Sequence, residues 1–249
     1  MIRLLGIETA TASQSVALLE DQQVLAEACW SGPGMGGGTL LPRIDSLLQR
    51  AGLRPGSVDA VAVSVGPGSF TGVRVGLATA KGFALGTNAK LFGVSTLEAL
   101  AAGYGLRQGT VCAVLHAGRG EVYAAFYSCE DSELQALCPE AVLSPEALAL
   151  EASLPGHGDI HFIGDAVAAY RDRLQVSFRG RAHMTDEGLS ARPTAVAVAR
   201  LALKEIQKNP TGMLQAKEVD PVYLRRAEAE LNWEKGLVKS PLERVLKAL

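Results

Sequence analysis

Cysteine is scarce: Cys29, Cys112, Cys129 and Cys138 are the four in 249 residues, and no two of them form a Cys-x-x-Cys pair. That spacing argues against a disulfide framework and a clustered zinc site, and leaves buried, reduced thiols as the simplest reading. Excess charge is lacking too. The 24 Lys and Arg against 26 Asp and Glu leave a net −2, so the chain as a whole has no attraction for nucleic acid or an anionic membrane, and an RNA contact needs a local patch or a basic partner. No apolar run approaches the roughly 20 residues that cross a bilayer. The opening residues 1–8 are too soon interrupted by charge for a signal peptide, so a cytoplasmic protein is expected. Phosphate and nucleophile fingerprints are missing as well. No Gly-x-x-x-x-Gly-Lys-Ser/Thr, dinucleotide fingerprint or Gly-x-Ser-x-Gly elbow can be drawn through the glycine-rich stretch at residues 66–81.

What is present is a hydrophobic content of 48%, enough to fill one large or two small cores. Residues 60–65 read as a buried strand, stopped by Gly66-Pro67-Gly68. A helix then runs over 69–86, with Ser69 or Thr71 as its cap and Gly72, Gly76, Ala80 and Ala84 on one face at four-residue spacing. Such a stripe lets another backbone approach closely. The strand, turn and helix N-terminus also form a candidate anion- or nucleotide-binding site at Thr9, Gly68 and Ser69. Packing is the stronger of the two readings, because the phosphate motifs fail.

Before this stretch, residues 3–9, 15–19 and 24–30 read as a three-strand meander. After it come a glycine-rich loop at 32–38 and a helix over 39–51, capped by Thr39 and closed by Gly52. Residues 91–94 form another strand, and Ser95-Thr96-Leu97-Glu98 is a capping box for a helix to Tyr104. The pattern then partly restarts. Strands are predicted at 110–115, 121–128, 133–137 and 160–163, a short helix opens at Ser144-Pro145-Glu146, and an alanine-rich helix covers 193–207. The division that follows is a first unit at 1–104, a second, less regular copy at 105–225 and a C-terminal tail with a last helix at 226–249.

Ile7-Glu8-Thr9, Leu40-Leu41-Pro42, the run Gly66 to Arg74, Gly93-Val94-Ser95-Thr96-Leu97-Glu98-Ala99-Leu100, Arg119-Gly120-Glu121-Val122-Tyr123 and Tyr223-Leu224-Arg225 together resemble the TsaB family of accessory proteins in tRNA threonylcarbamoyladenosine synthesis. The resemblance implies an α/β fold of two ribonuclease-H-like halves, as in actin-like and sugar-kinase-like ATPases, with mixed sheets flanked by helices. It implies a scaffold and activator with no catalytic residues of its own. The partners it implies are a TsaD-like catalytic subunit that transfers the threonylcarbamoyl group to N6 of the adenosine beside the anticodon, a TsaE-like ATPase, and tRNA reached through the complex. No cofactor is required by this chain; ATP or ADP and a divalent metal belong to the partner complex. Departures from the family pattern, Glu8 for the usual Asp, Gly38-Thr39 for His-Ser and His116-Ala117-Gly118 for Asp-Ala-Arg, count against nucleotide or metal binding here.

The expected partner face lies on the two helices of the first unit, at Leu40, Leu41, Ile44, Leu47, Leu48, Phe70, Val73, Arg74, Leu77 and Lys81. Gly72, Gly76 and Ala80 serve close packing between helices. A homodimer through the same face is the alternative occupant, and each residue singly could instead cover its own sheet. His157 and His161 have metal-pair spacing but lie in a loop leading into a strand, so no metal site is expected. Arg171, Arg173, Arg179 and Arg181 are a candidate tRNA contact. An autonomous kinase or ATPase of the same fold is the competing function, and a glycoprotease-like peptidase a more distant third.

Overall fold

In a computed structural model the described residues are 1–32, 39–131, 133–151, 158–178, 180–184, 192–208 and 219–225. The first sheet contains β1 (Arg3–Glu8), β2 (Ser13–Glu20), β3 (Gln23–Ser31), β4 (Ala60–Ser64) and β5 (Lys90–Val94) in the order β3-β2-β1-β4-β5. β1, β2 and β3 pair antiparallel, while β4 and β5 join in parallel. Helices α1 (Leu40–Arg50) and α2 (Phe70–Thr87) make the two crossovers, and α3 (Thr96–Tyr104) follows β5.

The second sheet repeats this plan. It contains β6 (Gly109–Gly118), β7 (Glu121–Glu130), β8 (Glu133–Ala136), β10 (Ile160–Ile163) and β11 (Ala182–Met184), while β9 (Ala141–Leu143) pairs with β7 beside β8. Read from β8, the order β8-β7-β6-β10-β11 has the same sequence of two antiparallel and two parallel pairings. Helices α4 (Pro145–Glu151), α5 (Val167–Phe178) and α6 (Ala195–Lys208) occupy the places of α1, α2 and α3. Of these elements β9, α5 and β11 were not expected from the sequence.

Alternation along β1 divides its side chains between two layers. Leu5 and Ile7 enter a core with Ile44, Leu47 and Leu48 of α1 and Leu77, Ala80 and Ala84 of α2. Leu4 enters a core on the other face with Ala195, Val198, Ala199, Ala202 and Leu203 of α6. A methyl on Gly6 would overlap the Ala195 carbonyl oxygen, so glycine lets α6 lie directly on β1. The third helices are exchanged. α6 lies beyond residue 104 yet covers the first sheet, while Leu97, Leu100 and Ala101 of α3 pack on Val111, Ala113, Leu115 and Ile163 of the second. Each half therefore lends the helix that completes the other's core.

Local chemistry sets the helix ends. The Ser69 hydroxyl accepts from the Gly72 N–H at 3.2 Å, and Ser95 accepts from the Leu97 and Glu98 N–H groups. Thr39 stands at the start of α1 but its side chain makes no cap bond. At the other end Gly52 has φ +67°, the Leu53 N–H donates to the Leu48 carbonyl and the Gly52 N–H to the Gln49 carbonyl, a paired C-terminal closure. Arg119 and Gly120, at φ +56° and +77°, form the two-residue turn between β6 and β7.

Candidate functional site

The expected partner face divides into residues that point inward and residues that point outward. Leu40, Ile44, Leu47 and Leu48 are 1–2% exposed, and Val73 and Leu77 are 1% and 5% exposed. These six line the chain's own interior, so the expectation that they face a partner is corrected. The apolar stripe of α1 is the width needed to close the first sheet together with α2. Gly72 and Gly76 are corrected as well. A methyl on Gly72 would overlap the Thr9 carbonyl oxygen and one on Gly76 the Thr9 hydroxyl, so the stripe admits the end of β1, not a helix from another chain. Ala80 is fully buried in the same core.

Outward from these helices remain Leu41 at 56% exposure, Leu85 at 76%, Phe70 at 36%, Arg74, and the partly exposed Lys81. Phe70 and Arg74 lie one turn apart on α2, and the Arg74 guanidinium sits 3.8 Å from the centre of the Phe70 ring. Arg74 Nε also donates to the Tyr223 hydroxyl at 2.9 Å, and the Phe70 and Tyr223 rings are 5.2 Å apart. Lys81 pairs with Asp220 at 3.4 Å. A cation lying over one ring and hydrogen-bonded to the hydroxyl of a second is a stiff, amphipathic surface feature, of the residue types that anchor interfaces. Phe70, Arg74 and Lys81 came from the sequence. Tyr223 joins them from 149 positions away, and no local pattern points to that contact.

The candidate anion site is filled from within. Thr9 Oγ1 donates to the Gly72 carbonyl at 2.8 Å, and the Ser69 N–H donates to the Ala10 carbonyl at 2.7 Å. A methyl on Gly68 would overlap that same Ala10 carbonyl. Thr9, Gly68 and Ser69 are thus a seam between β1 and the start of α2. Beside them Glu8 is fully buried, with Oε1 accepting from the Ala10 N–H at 2.6 Å. Among the described residues its Oε2 and the Ser64 hydroxyl meet no partner in hydrogen-bond geometry. Burial pushes the Glu8 carboxyl up to about 7, with the nearby Ser64 hydroxyl and the Ala10 and Thr11 backbone opposing the rise. A carboxyl at this depth, closed off from solvent and pushed toward its neutral form, is a poor ligand for a metal–nucleotide complex.

A cleft of about 200 Å³ lies between the halves, lined by Thr11, Ser13, Ser31, Leu115, Asp165 and Arg192 among others. Asp165 is held there by the His116 N–H at 2.9 Å. His161 stacks on His183 at 4.9 Å and its Nδ1 is 2.9 Å from the Tyr104 hydroxyl. Burial, then the His183 charge, holds His161 below the ordinary imidazole range. His157 falls outside the described residues, and among those described no three His, Cys, Asp or Glu are grouped to hold a metal. Of the arginine cluster, Arg173 pairs with Glu146 at 3.1 Å, Arg171 and Arg181 are engaged in contacts of their own, and Arg179 lies outside the described residues. Among the described residues no helix is long and apolar enough to cross a membrane.

Comparison with known proteins adds a second line of observation. Residues 37–233 match the family model described as TsaD, tRNA N6-adenosine threonylcarbamoyltransferase. The tRNA threonylcarbamoyladenosine biosynthesis protein TsaB of Escherichia coli is 33% identical over 94% of this chain and 98% of its own length. Its Bacillus subtilis namesake is 27% identical over 92% of this chain and 97% of its own. Among solved structures, a Pseudomonas aeruginosa protein described as uncharacterized and similar to the peptidase YEAZ superposes with a TM-score of 0.75. It is 30% identical, covering 90% of this chain and all of that one.

Proposed function

The chain belongs to the TsaB family, and from that premise we propose that it is a non-catalytic scaffold and activator in the formation of threonylcarbamoyladenosine on tRNA. The observation that carries this reading is likeness over nearly the whole length to a protein named for that biosynthesis. The partner it would engage is a TsaD-like catalytic subunit. Support comes from the chain's own match to the TsaD model, because two proteins of one fold present the same pair of helices and can pair them about a local two-fold axis. The surface offered for that pairing is Leu41, Phe70, Arg74 and Leu85 with Tyr223, which replaces the buried set expected from the sequence. A TsaE-like ATPase and the tRNA would join through the assembled complex, along with its ATP or ADP and divalent metal.

The non-catalytic part of the proposal is supported by Glu8, Thr9 and Ser69. Each is engaged or shut away within the chain, where the competing ATPase reading needs exposed acids and free donors. Reconstitution tests the role. Leaving this chain out of a mixture of TsaD-like and TsaE-like subunits, tRNA and substrates should abolish threonylcarbamoyl transfer, and adding it back should restore transfer. Undiminished transfer without it rules out the activator role. ATP turnover by the isolated chain would revive the enzyme reading.

A further inference from the structure

Of the segments singled out in the sequence, residues 119–123 and the Leu224-Arg225 end of residues 223–225 have no part in the docking surface just described. The fold nevertheless joins them: Arg225 reaches a carbonyl 107 positions earlier in the chain. Residues 219–225 form a strap from the first half to the second. At its beginning Val219 is buried in the core beneath α2, and Asp220 pairs with Lys81 of that helix. Midway, the Val222 N–H donates to the Val65 carbonyl at 2.8 Å, just before the loop that starts α2. A methyl on Gly66 in that loop would overlap the Val222 carbonyl. Tyr223 then enters the stack with Phe70 and Arg74, and Leu224 packs on the core of the second half. Last, the Arg225 guanidinium donates to the Ala117 and Gly118 carbonyls and pairs with the Glu121 carboxylate, holding both sides of the β6–β7 turn.

We infer that this strap is a mechanical link, through which a protein bound on the outer face of α2 restrains the β6–β7 turn of the other half. The inference rests on reading that face as the docking surface of the TsaD-like subunit, although the link itself lies within one chain. A partner that covers Phe70, Arg74 and Tyr223 removes water from the Arg74–Tyr223 bond and fixes the tyrosine in place. One residue separates Tyr223 from Arg225, and a span of roughly 3.5 Å per residue leaves no slack to absorb a shift. The guanidinium is a planar fork of fixed donors, so a displacement at its root moves all three acceptors together. From the turn, β6 runs back to Leu115, which lines the cleft between the halves.

Hydrogen exchange followed by mass spectrometry on the full chain tests the link, read at peptides spanning residues 116–122. Without a partner, Tyr223→Ala and Arg74→Ala, neither of which touches the turn, should accelerate exchange there about five-fold or more, as should Arg225→Gln. Unchanged exchange in Tyr223→Ala overturns the link. With the TsaD-like subunit added, protection of the turn should rise in the wild type and not in Arg225→Gln, which still binds. Binding to the wild type with no change at the turn also overturns it, while leaving the docking surface intact. Failure of the subunit to bind the wild type removes the docking surface instead, and the partner-free measurements then decide the link alone. If Arg225→Gln is not folded by circular dichroism, Arg225→Lys, which keeps the charge and loses the fork of donors to the turn, takes its place.

Discussion

The two halves share a strand order and differ in almost everything laid upon it. On the face of β1 turned toward its borrowed helix stand Leu4, Gly6 and Glu8, and on the matching face of β6 stand Val111, Ala113 and Leu115. The second half is apolar there throughout, whereas the first ends on a buried carboxyl. The outer helices diverge further. α2 has 18 residues and presents an aromatic and cationic stack, while α5 has 12 and presents the Arg173–Glu146 ion pair. A duplicated sheet frame therefore fixes where a helix lies and leaves its outer face free to specialise. The first half uses that freedom for an exposed aromatic and cationic surface.

The sharpest test of this contrast puts the same charge on the inner side of α2 and on the outer side of α5. Leu77→Asp, inside the first half, should cost about 4 kcal/mol or more and leave little folded protein by circular dichroism, because an unpaired carboxylate enters a dry core. Val176→Asp on α5, where Val176 is 80% exposed, should change the stability read from urea unfolding by less than about 0.5 kcal/mol. A folded Leu77→Asp protein would mean that α2 is not anchored as described.

Next in size is the buried carboxyl. Its rise from the ordinary 4.5 to about 7 means that the folded state holds a proton the unfolded chain has released. The associated stability is fully present below pH 4.5, is lost as the pH climbs to about 7, and changes no further above that. At about 1.4 kcal/mol per unit the loss is on the order of 3 kcal/mol. Glu8→Gln should flatten this part of the pH–stability curve, and so make the first half behave like the second. Retention of the full slope in Glu8→Gln would assign it to another group.

Glycines within α2 give the finest resolution. Gly72→Ala pushes a methyl into a backbone carbonyl and should cost about 1–3 kcal/mol. Gly82→Ala meets nothing within 4 Å and should instead stabilise by about 0.5–1 kcal/mol. Equal effects at the two positions would remove the distinction between the inner and outer faces of this helix.

Much of the first half was legible because its signals are local. The buried strand before Gly66, the Ser69 and Ser95 caps and Gly52 all act within a few residues of themselves, and each stands where it was read. β11 has three residues and takes its support from β10, and over residues 167–176 α5 buries only Val167 and Leu174, so neither carries enough pattern of its own. Thr39 shows the limit of a cap motif, since residue type alone does not bring the hydroxyl to an N–H. At the candidate site the difficulty was one of direction. Leu47 and Leu77 are apolar whether they meet their own sheet or another chain, and only the distance to β1 and β4 separates the two cases. The Tyr223 contact depends on the chain's return from the second half and has no local trace.

The exchange of α3 and α6 also sets a timetable. Synthesis proceeds from the N-terminus, so β1 to β5 leave the ribosome long before residue 195, and until then Leu4, Ala60, Ala62 and Phe92 have no helix of their own to cover them. The first sheet waits, one face closed by α1 and α2 and the other still wet, for almost the whole of the second to be made. The first half cannot be released as a finished fragment, because its second face is closed by α6, which emerges only after the second sheet.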